Sequence, residues 1–287
     1  MKTIIACVDG SEYADHVCHM AAWAALRLKA GVTLLHTIPS HSQPTQSSVD
    51  LSGAIGLGAR SSLLDKLASL DESQSHIARE RGQLILDHAQ EVLQQHGVKE
   101  VYMLHRRGGL AQTLSAHEGD AALVIMGKRG EHAHMPLGSN LERVARALHT
   151  PLLVVPAPIA TPPEIRSVLC CVDESASSQR AVDYLLESPV FLQASIRLLH
   201  VGHDASYAQA LLQPFATSLQ AAGYQVACDS RDTGTIEEAA KTIMAEHRID
   251  LLMMGAYNHA RLHQLLLGST TAAMLAQATV PVLLCRG

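Results

Sequence analysis

The chain has 287 residues and a formal net charge of −5, a balance that gives no electrostatic footprint for nucleic acid. No apolar run reaches about 18 residues, so no transmembrane helix is expected. Met1-Lys2-Thr3 leads at once into a short strand-like run rather than the apolar core of a signal peptide, and the six cysteines lack CxxC spacing, so the expectation is a cytoplasmic protein with reduced, buried thiols.

Thr3–Val8 reads as a strand ended by Asp9-Gly10-Ser11. Ala14–Lys29 reads as a helix, with Val17, Met20, Ala21, Ala24 and Leu28 at helical spacing. Val32–Ile38 is a second strand, closed by Pro39. A polar stretch, Ser40–Asp50, precedes the glycine-rich Ser52–Gly58 and a short helix over Ser61–Leu70. A long helix is expected over Ser75–His96, with Ile77, Leu84, Ile85, Ala89, Val92 and Leu93 on one side. Then follow a strand Val98–Leu104, a helix Leu110–Ala116, a strand Ala121–Met126 ending at Gly127, a helix Asn140–Leu148 and a strand Leu152–Val155. Ala157–Glu164 carries three prolines in eight residues and reads as a stiff linker. Beyond it the order repeats, with strands at Val168–Val172, Ser195–Val201, Gln225–Asp229, Leu251–Met254 and Val282–Cys285. The helices between them fall near Ser178–Glu187, Tyr207–Ala222, Thr235–His247 and Ser269–Gln277.

The repetition extends to residues. Asp9 and Asp173 stand 164 positions apart, as do the Leu-Leu-His runs ending at His36 and His200. So long a period indicates two complete domains, 1–156 and 165–287, joined by a linker over 157–164. Gly127 and Gly255 are only 128 positions apart, so the first copy holds 36 extra residues, placed at about 40–75. This insertion reads either as solvated surface or as a lid or partner loop, since it follows a strand on the ligand-binding edge. Strands alternating with helices imply right-handed crossovers and, in each domain, an α/β fold with a parallel sheet covered on both faces.

In such a sheet, ligands bind outside the carboxyl ends of the strands. Four features meet there in each half: Asp9 or Asp173, the second strand's end at Ile38 or Val201, a glycine loop, and a Gly-Ser opening a helix. The loop holds Gly127, Arg129 and Gly130 in the first half and Gly255 and Asn258 in the second. The helix start holds Gly138, Ser139 and Asn140, or Gly268, Ser269 and Thr270. Glycines let backbone N–H groups approach a phosphate, and a helix N-terminus adds unpaired N–H groups and a positive dipole end. Ser139 or Ser269 could cap its helix or donate to a phosphate. The aspartate could accept from a ribose or adenine, or favour a bridging Mg²⁺. Lys128 and Arg129 could offset phosphate charge in the first half and Arg261 in the second.

Val8-Asp9-Gly10-Ser11, Val172-Asp173-Glu174-Ser175, Met126–Gly130, Gly138-Ser139, Met254–His259 and Leu267–Thr270 together resemble the universal stress protein family in its tandem form. The resemblance covers nearly the whole chain outside insertion and linker. It implies two Rossmann-like domains, of the adenine nucleotide alpha hydrolase-like kind, each with five parallel strands. It also implies ATP in the crevice and pairing through the last strands. ATP-binding members show Gly-x2-Gly-x9-Gly-(Ser/Thr). The first half has both early glycines but only seven residues between Gly130 and Gly138; the second has nine residues before Gly268, but Asn258 in place of a glycine.

No catalytic constellation appears: there is no Gly-x-Ser-x-Gly elbow and no Walker loop. Seventeen histidines include His259 and His263, at helical spacing, and His132-Ala133-His134, which read as surface residues rather than a metal site. Three functions follow: a nucleotide-responsive binding module, a weak ATPase or autophosphorylating enzyme with Ser139, Ser269 or Thr270 as acceptor, or an interaction protein with decayed sites. The short apolar strands Leu152–Val155 and Val282–Cys285 are expected to pair within the chain as a pseudo-dimer. A homodimer of such units is the alternative assembly.

Overall fold

The computed structural model describes residues 3–39, 57–131, 137–156, 164–202, 204–256 and 268–286, with side chains of the second helix described from residue 69. The first half comprises β1 (Thr3–Cys7), α1 (Ala14–Leu28), β2 (Val32–Ile38), α2 (Leu57–Gln95), β3 (Val101–Arg107), α3 (Leu110–His117), β4 (Ala121–Gly127), α4 (Ser139–Ala147) and β5 (Leu152–Val155). The second comprises β6 (Ser167–Cys171), α5 (Ala176–Glu187), β7 (Ser195–Val201), α6 (Ala205–Ala221), β8 (Gln225–Arg231), α7 (Ile236–His247), β9 (Leu251–Ala256), α8 (Ser269–Gln277) and β10 (Val282–Arg286).

These strands form a single sheet in the order β3-β2-β1-β4-β5-β10-β9-β6-β7-β8. Each half is an α/β unit of five parallel strands. The direction of winding reverses between β1 and β4, and again between β6 and β9, which opens a crevice at the carboxyl ends of those strands. The halves meet where β5 and β10 pair antiparallel, Leu153 opposite Leu283. Residues 152–155 and 282–285 are at most 3 % exposed, so two apolar edges that would be open to other chains cover each other. Full burial of each such side chain contributes about 1.5–3 kcal/mol.

Helices lie on both faces because the strands are apolar on both sides. One core layer packs α1, α2, α5 and α6, and it crosses the junction: Trp23 of α1 sits 6.0 Å from the ring of Phe191, in the turn after α5. The other packs α3, α4, α7 and α8 through Leu114, Leu141, Ile243 and Met274.

Four expectations need correction. The helices expected over Ser61–Leu70 and Ser75–His96 are one helix, Leu57–Gln95. The Asp71–Ser75 run that seemed to separate them is polar but free of proline and glycine, and it lies on exposed helix surface. The 39-residue α2, against 17 residues in its counterpart α6, therefore carries much of the extra length; residues 40–56 lie outside the described residues. Its buried stripe is Leu86, Ala89, Val92 and Leu93, whereas Ile77 and Leu84 are 62 % and 69 % exposed. Leu84 lies two positions from Gly82, and thus on the opposite face.

β3 begins three residues later than expected. Gly97, at φ 86°, ends α2 with Val98 N–H bonded to Leu93 O, so Val98 belongs to the helix stop. His105–Arg107, though polar, pair with His36–Ile38 at the crevice end. β8 likewise runs on to Arg231, opposite Val201. No described helix is both long and apolar enough to cross a membrane.

Candidate functional site

Asp9 follows β1 at the mouth of the first crevice. Its Oδ1 accepts from Ser11 N–H (3.0 Å) and from the Ser11 hydroxyl (2.5 Å), a turn that stops the strand. Its Oδ2 accepts from Glu131 N–H at 3.2 Å, so the aspartate is tied to the glycine loop after β4. Gly130 is needed for that approach: a Cβ there would fall 2.8 Å from Asp9 Oδ2. Glu131 in turn pairs with Arg81 of α2, and the pair crosses beside Gly10, where a Cβ would meet both side chains within 2.9 Å.

Asp173, at the same point of the second half, is held differently. Its Oδ1 accepts from Ser175 N–H (3.0 Å), the Ser175 hydroxyl (2.5 Å) and the Ser178 hydroxyl (2.6 Å). The Ser175 Oγ also caps α5 by accepting from Ser178 N–H. Ala14 occupies the position of Ser178 in the first half, so Asp9 has no such donor from its helix.

Gly127 and Gly255 close the ends of β4 and β9. A Cβ on Gly127 would lie 2.7 Å from Tyr13 Cβ, and one on Gly255 would lie 2.8 Å from both the carbonyl carbon and Cβ of Ser177. Tyr13 and Ser177 are equivalent residues, so both glycines let the first helix of each half pack on the end of the loop-bearing strand. Ile38 is buried, its carbonyl accepting from Gly108 N–H, while Val201 is half-buried above β8.

The helix starts are alike. Gly138 is the N-cap of α4 and Gly268 that of α8, both in extended backbone and neither with a side-chain cap. Ser139 and Ser269 are thus the first helical residues rather than the caps, and with Asn140 and Thr270 they are exposed. In both helices the N-cap offers the first-turn N–H groups no side-chain acceptor, which suits an anion. A Cβ would find ordinary room at both caps, with nearest atoms at 3.5 Å for Gly138 and 3.8 Å for Gly268. Asn258, Arg261, His259, His263, His132 and His134 lie outside the described residues.

Lys128 is not where a phosphate would meet it. Its ammonium is buried and donates to the carbonyls of Ala276 (2.6 Å) and Ala278 (3.3 Å), in the other half. Burial, then the neighbouring Arg129 charge, pushes its pKa down. Arg129 itself is exposed on the loop.

The site also includes two residues that sequence reasoning used only as markers of the repeat. His36 Nδ1–H donates to Val8 O, and His200 Nδ1–H to Val172 O, each at 2.9 Å; the proton is on Nδ1 because a carbonyl can only accept. Val8 N–H and Val172 N–H are bonded to Leu35 O and Leu199 O, so the residue before each aspartate is fixed on both sides. The identical spacing of Leu-Leu-His after each Val-Asp was the signal. Five of the six cysteines are buried, and burial pushes Cys7, Cys18, Cys171 and Cys285 up to about 12, so these thiols stay protonated at neutral pH. Among the described residues no group of three His, Cys, Asp or Glu side chains is placed to hold a metal ion.

The sequence model of the universal stress protein family matches this chain twice, over residues 1–156 and 164–286. The universal stress protein Slr1230 of Synechocystis is 35 % identical over 291 residues, covering 100 % of both chains. The crystal structure of a universal stress protein from Archaeoglobus fulgidus superposes with a TM-score of 0.75 at 18 % identity, covering 99 % of this chain and 98 % of the other. A putative universal stress protein from Pseudomonas aeruginosa gives 0.63 at 12 % identity, covering 100 % and 93 %. Two matched units, two crevices and a full-length relative lead to one conclusion: the chain belongs to the universal stress protein family, with two family domains in tandem.

Proposed function

We propose that this tandem universal stress protein is a cytoplasmic binding module for adenine nucleotide, ATP by preference, used in the response to stress. The observation that carries the reading is the doubled anion end: α4 and α8 each start at a glycine with no side-chain cap, in a half whose first strand ends at an aspartate. Backbone N–H groups there would meet the phosphates, and Asp9 or Asp173 the sugar or base. Where Mg²⁺ accompanies the phosphates, the same carboxylates offer the hard oxygen it prefers, and the metal would supply charge neutralisation. The chain's own groups bind and orient. ATP would act by biasing the contacts of the loops.

The test is nucleotide analysis of the purified protein, followed by calorimetric titration with ATP and incubation with γ-labelled ATP. Bound adenine nucleotide or a saturable heat, with slow or no release of phosphate, is the expected result. No nucleotide in the extract and no heat would overturn the proposal; rapid hydrolysis or a labelled chain would replace it with the enzymatic reading.

A further inference from the structure

Each of the helices α4 and α8 is held at its far end by a cation from the other half. Lys128 Nζ donates to Ala276 O and Ala278 O, in the last turn and at the C-cap of α8. Arg286 Nη1 donates at 2.5 Å to Arg146 O and at 3.5 Å to Leu148 O, in the last turn and at the C-cap of α4. The two cations reach the same two carbonyl positions, counted from the cap, on equivalent helices. A cation there satisfies carbonyls that the helix leaves unpaired and opposes the negative end of its dipole.

The cations are not equivalent in sequence. Lys128 follows the end of β4, and the matching position, the last residue of β9, is Ala256. Arg286 ends β10, paired with Ala256, and the matching position after β5 is Pro156. The two halves thus reach one arrangement with residues at non-equivalent positions, across the junction where β5 and β10 pair.

Both cations are anchored beside a candidate nucleotide loop. Lys128 lies between Gly127 and Arg129, its N–H bonded to Val155 O and its carbonyl accepting from Gly138 N–H, the cap of α4. Its main chain therefore holds the start of α4 in the first site, and its side chain holds the end of α8, whose start forms the second. Arg286 sits next to Cys285, which is paired with Gly255 of the second loop.

We infer that Lys128 and Arg286 are reciprocal positioning residues, each fixing, from beside the loop of its own half, the helix that presents the anion-binding end of the opposite half. The consequence for ligand binding rests on the proposed nucleotide reading; the consequence for the helices does not. An ordered loop in one half keeps the opposite helix seated, so the two sites are coupled with positive sign.

Hydrogen exchange resolved by mass spectrometry tests the helix part on the full chain without ligand. Lys128→Met keeps the apolar stem and removes the charge. It should speed exchange over residues 269–277 roughly tenfold while leaving 139–147 near wild type; Arg286→Met should do the reverse. Lys128→Arg and Arg286→Lys should restore protection, which guards against reading a general loss of folding as support. Unchanged exchange in the opposite helix, or equal loosening of both helices by either variant, overturns the inference. For the ligand part, ATP is titrated into Gly138→Asp protein, where the first site carries its own carboxylate. Adding Lys128→Met should weaken the remaining site roughly three- to tenfold, and Lys128→Arg should recover it. An unmoved affinity overturns the coupling. No ATP binding to the wild-type protein defeats the nucleotide reading instead and leaves the exchange result to decide the positioning roles.

Discussion

The two crevices share a strand end and differ in what holds it. In the first half Asp9 is bonded to the turn at Ser11 and to the loop backbone at Glu131; in the second Asp173 is bonded to Ser175 and Ser178 of its own helix. Ala14 against Ser178 accounts for the helix donor that only Asp173 has. Duplication has kept the parts that any ligand at the carboxyl ends would use, namely the aspartate, the strand-end glycine and the glycine helix cap. It has let the partners of the aspartate drift. The first aspartate is coupled to the loop that would receive phosphate, and the second is tied to the start of α5, with residues 257–267 of its own loop outside the described residues.

The sharpest way to break this comparison is at the parts the halves share. Gly127→Ala and Gly255→Ala each place a Cβ within 2.8 Å of Tyr13 or Ser177, against atoms that cannot swing aside. Overpacking of that kind costs about 1–3 kcal/mol, and denaturant unfolding should show similar losses for both variants. A neutral result for either would mean the helix start is not packed on the strand end.

The histidines should separate the halves. His200 is 3 % exposed, and His200→Ala leaves the carbonyl of Val172 buried without a donor, at a cost of about 1–3 kcal/mol. His36 is half-buried, so His36→Ala should cost less, because water can reach the Val8 carbonyl. Equal losses would contradict the difference in burial.

A smaller effect is expected with pH, and it should fall on the first half. His19 on α1 has its pKa lowered by burial, then by His96 and His16, with Asp15 opposing. His105 on β3, beneath Gly82 of α2, has its pKa lowered by burial, then by His36 and Arg79. Both folded-state values lie below the ordinary 6.5, so the unfolded chain binds more protons in the interval between. Stability is therefore full above about pH 6.5 and falls as pH drops through the folded values. Hydrogen exchange at pH 7.5 and pH 5.5 should show α1, α2 and β3 opening before α5, α6 and β8, and His19→Gln with His105→Gln should flatten the difference. Loosening that begins in the second half would contradict this assignment.

Much of the architecture was legible because fully buried strands read as apolar runs and the repeat fixed their order. Leu251–Met254 and Leu152–Val155 needed nothing more. What escaped was set by partners distant in sequence. Lys128 looks like a phosphate ligand from its place in a glycine loop, but its acceptors lie 148 and 150 residues away. The polar ends of β3 and β8 are strands only because β2 and β7 pair with them at the crevice. The continuity of α2 through Asp71–Ser75 was hidden because solvated helix surface and loop share a composition. Gly138 and Gly268 were visible as ligand-site residues, whereas their role as the caps, in place of Ser139 and Ser269, follows from backbone geometry.

The central claim is that the uncapped glycine starts of α4 and α8 receive the phosphates, and it is tested most directly by Gly138→Asp and Gly268→Asp, singly and together, titrated with ATP by calorimetry. Both positions have negative φ and room for a Cβ, and aspartate is a favoured N-cap, so the variants are expected to fold. The new carboxylate would occupy the N–H groups and repel the phosphates. The prediction is a loss of roughly tenfold to a hundredfold in affinity at each altered site, from about 1.5–3 kcal/mol of charge-assisted hydrogen bonding, and no measurable binding by the double variant. A double variant that folds normally and binds ATP as tightly as the wild-type protein would contradict the claim.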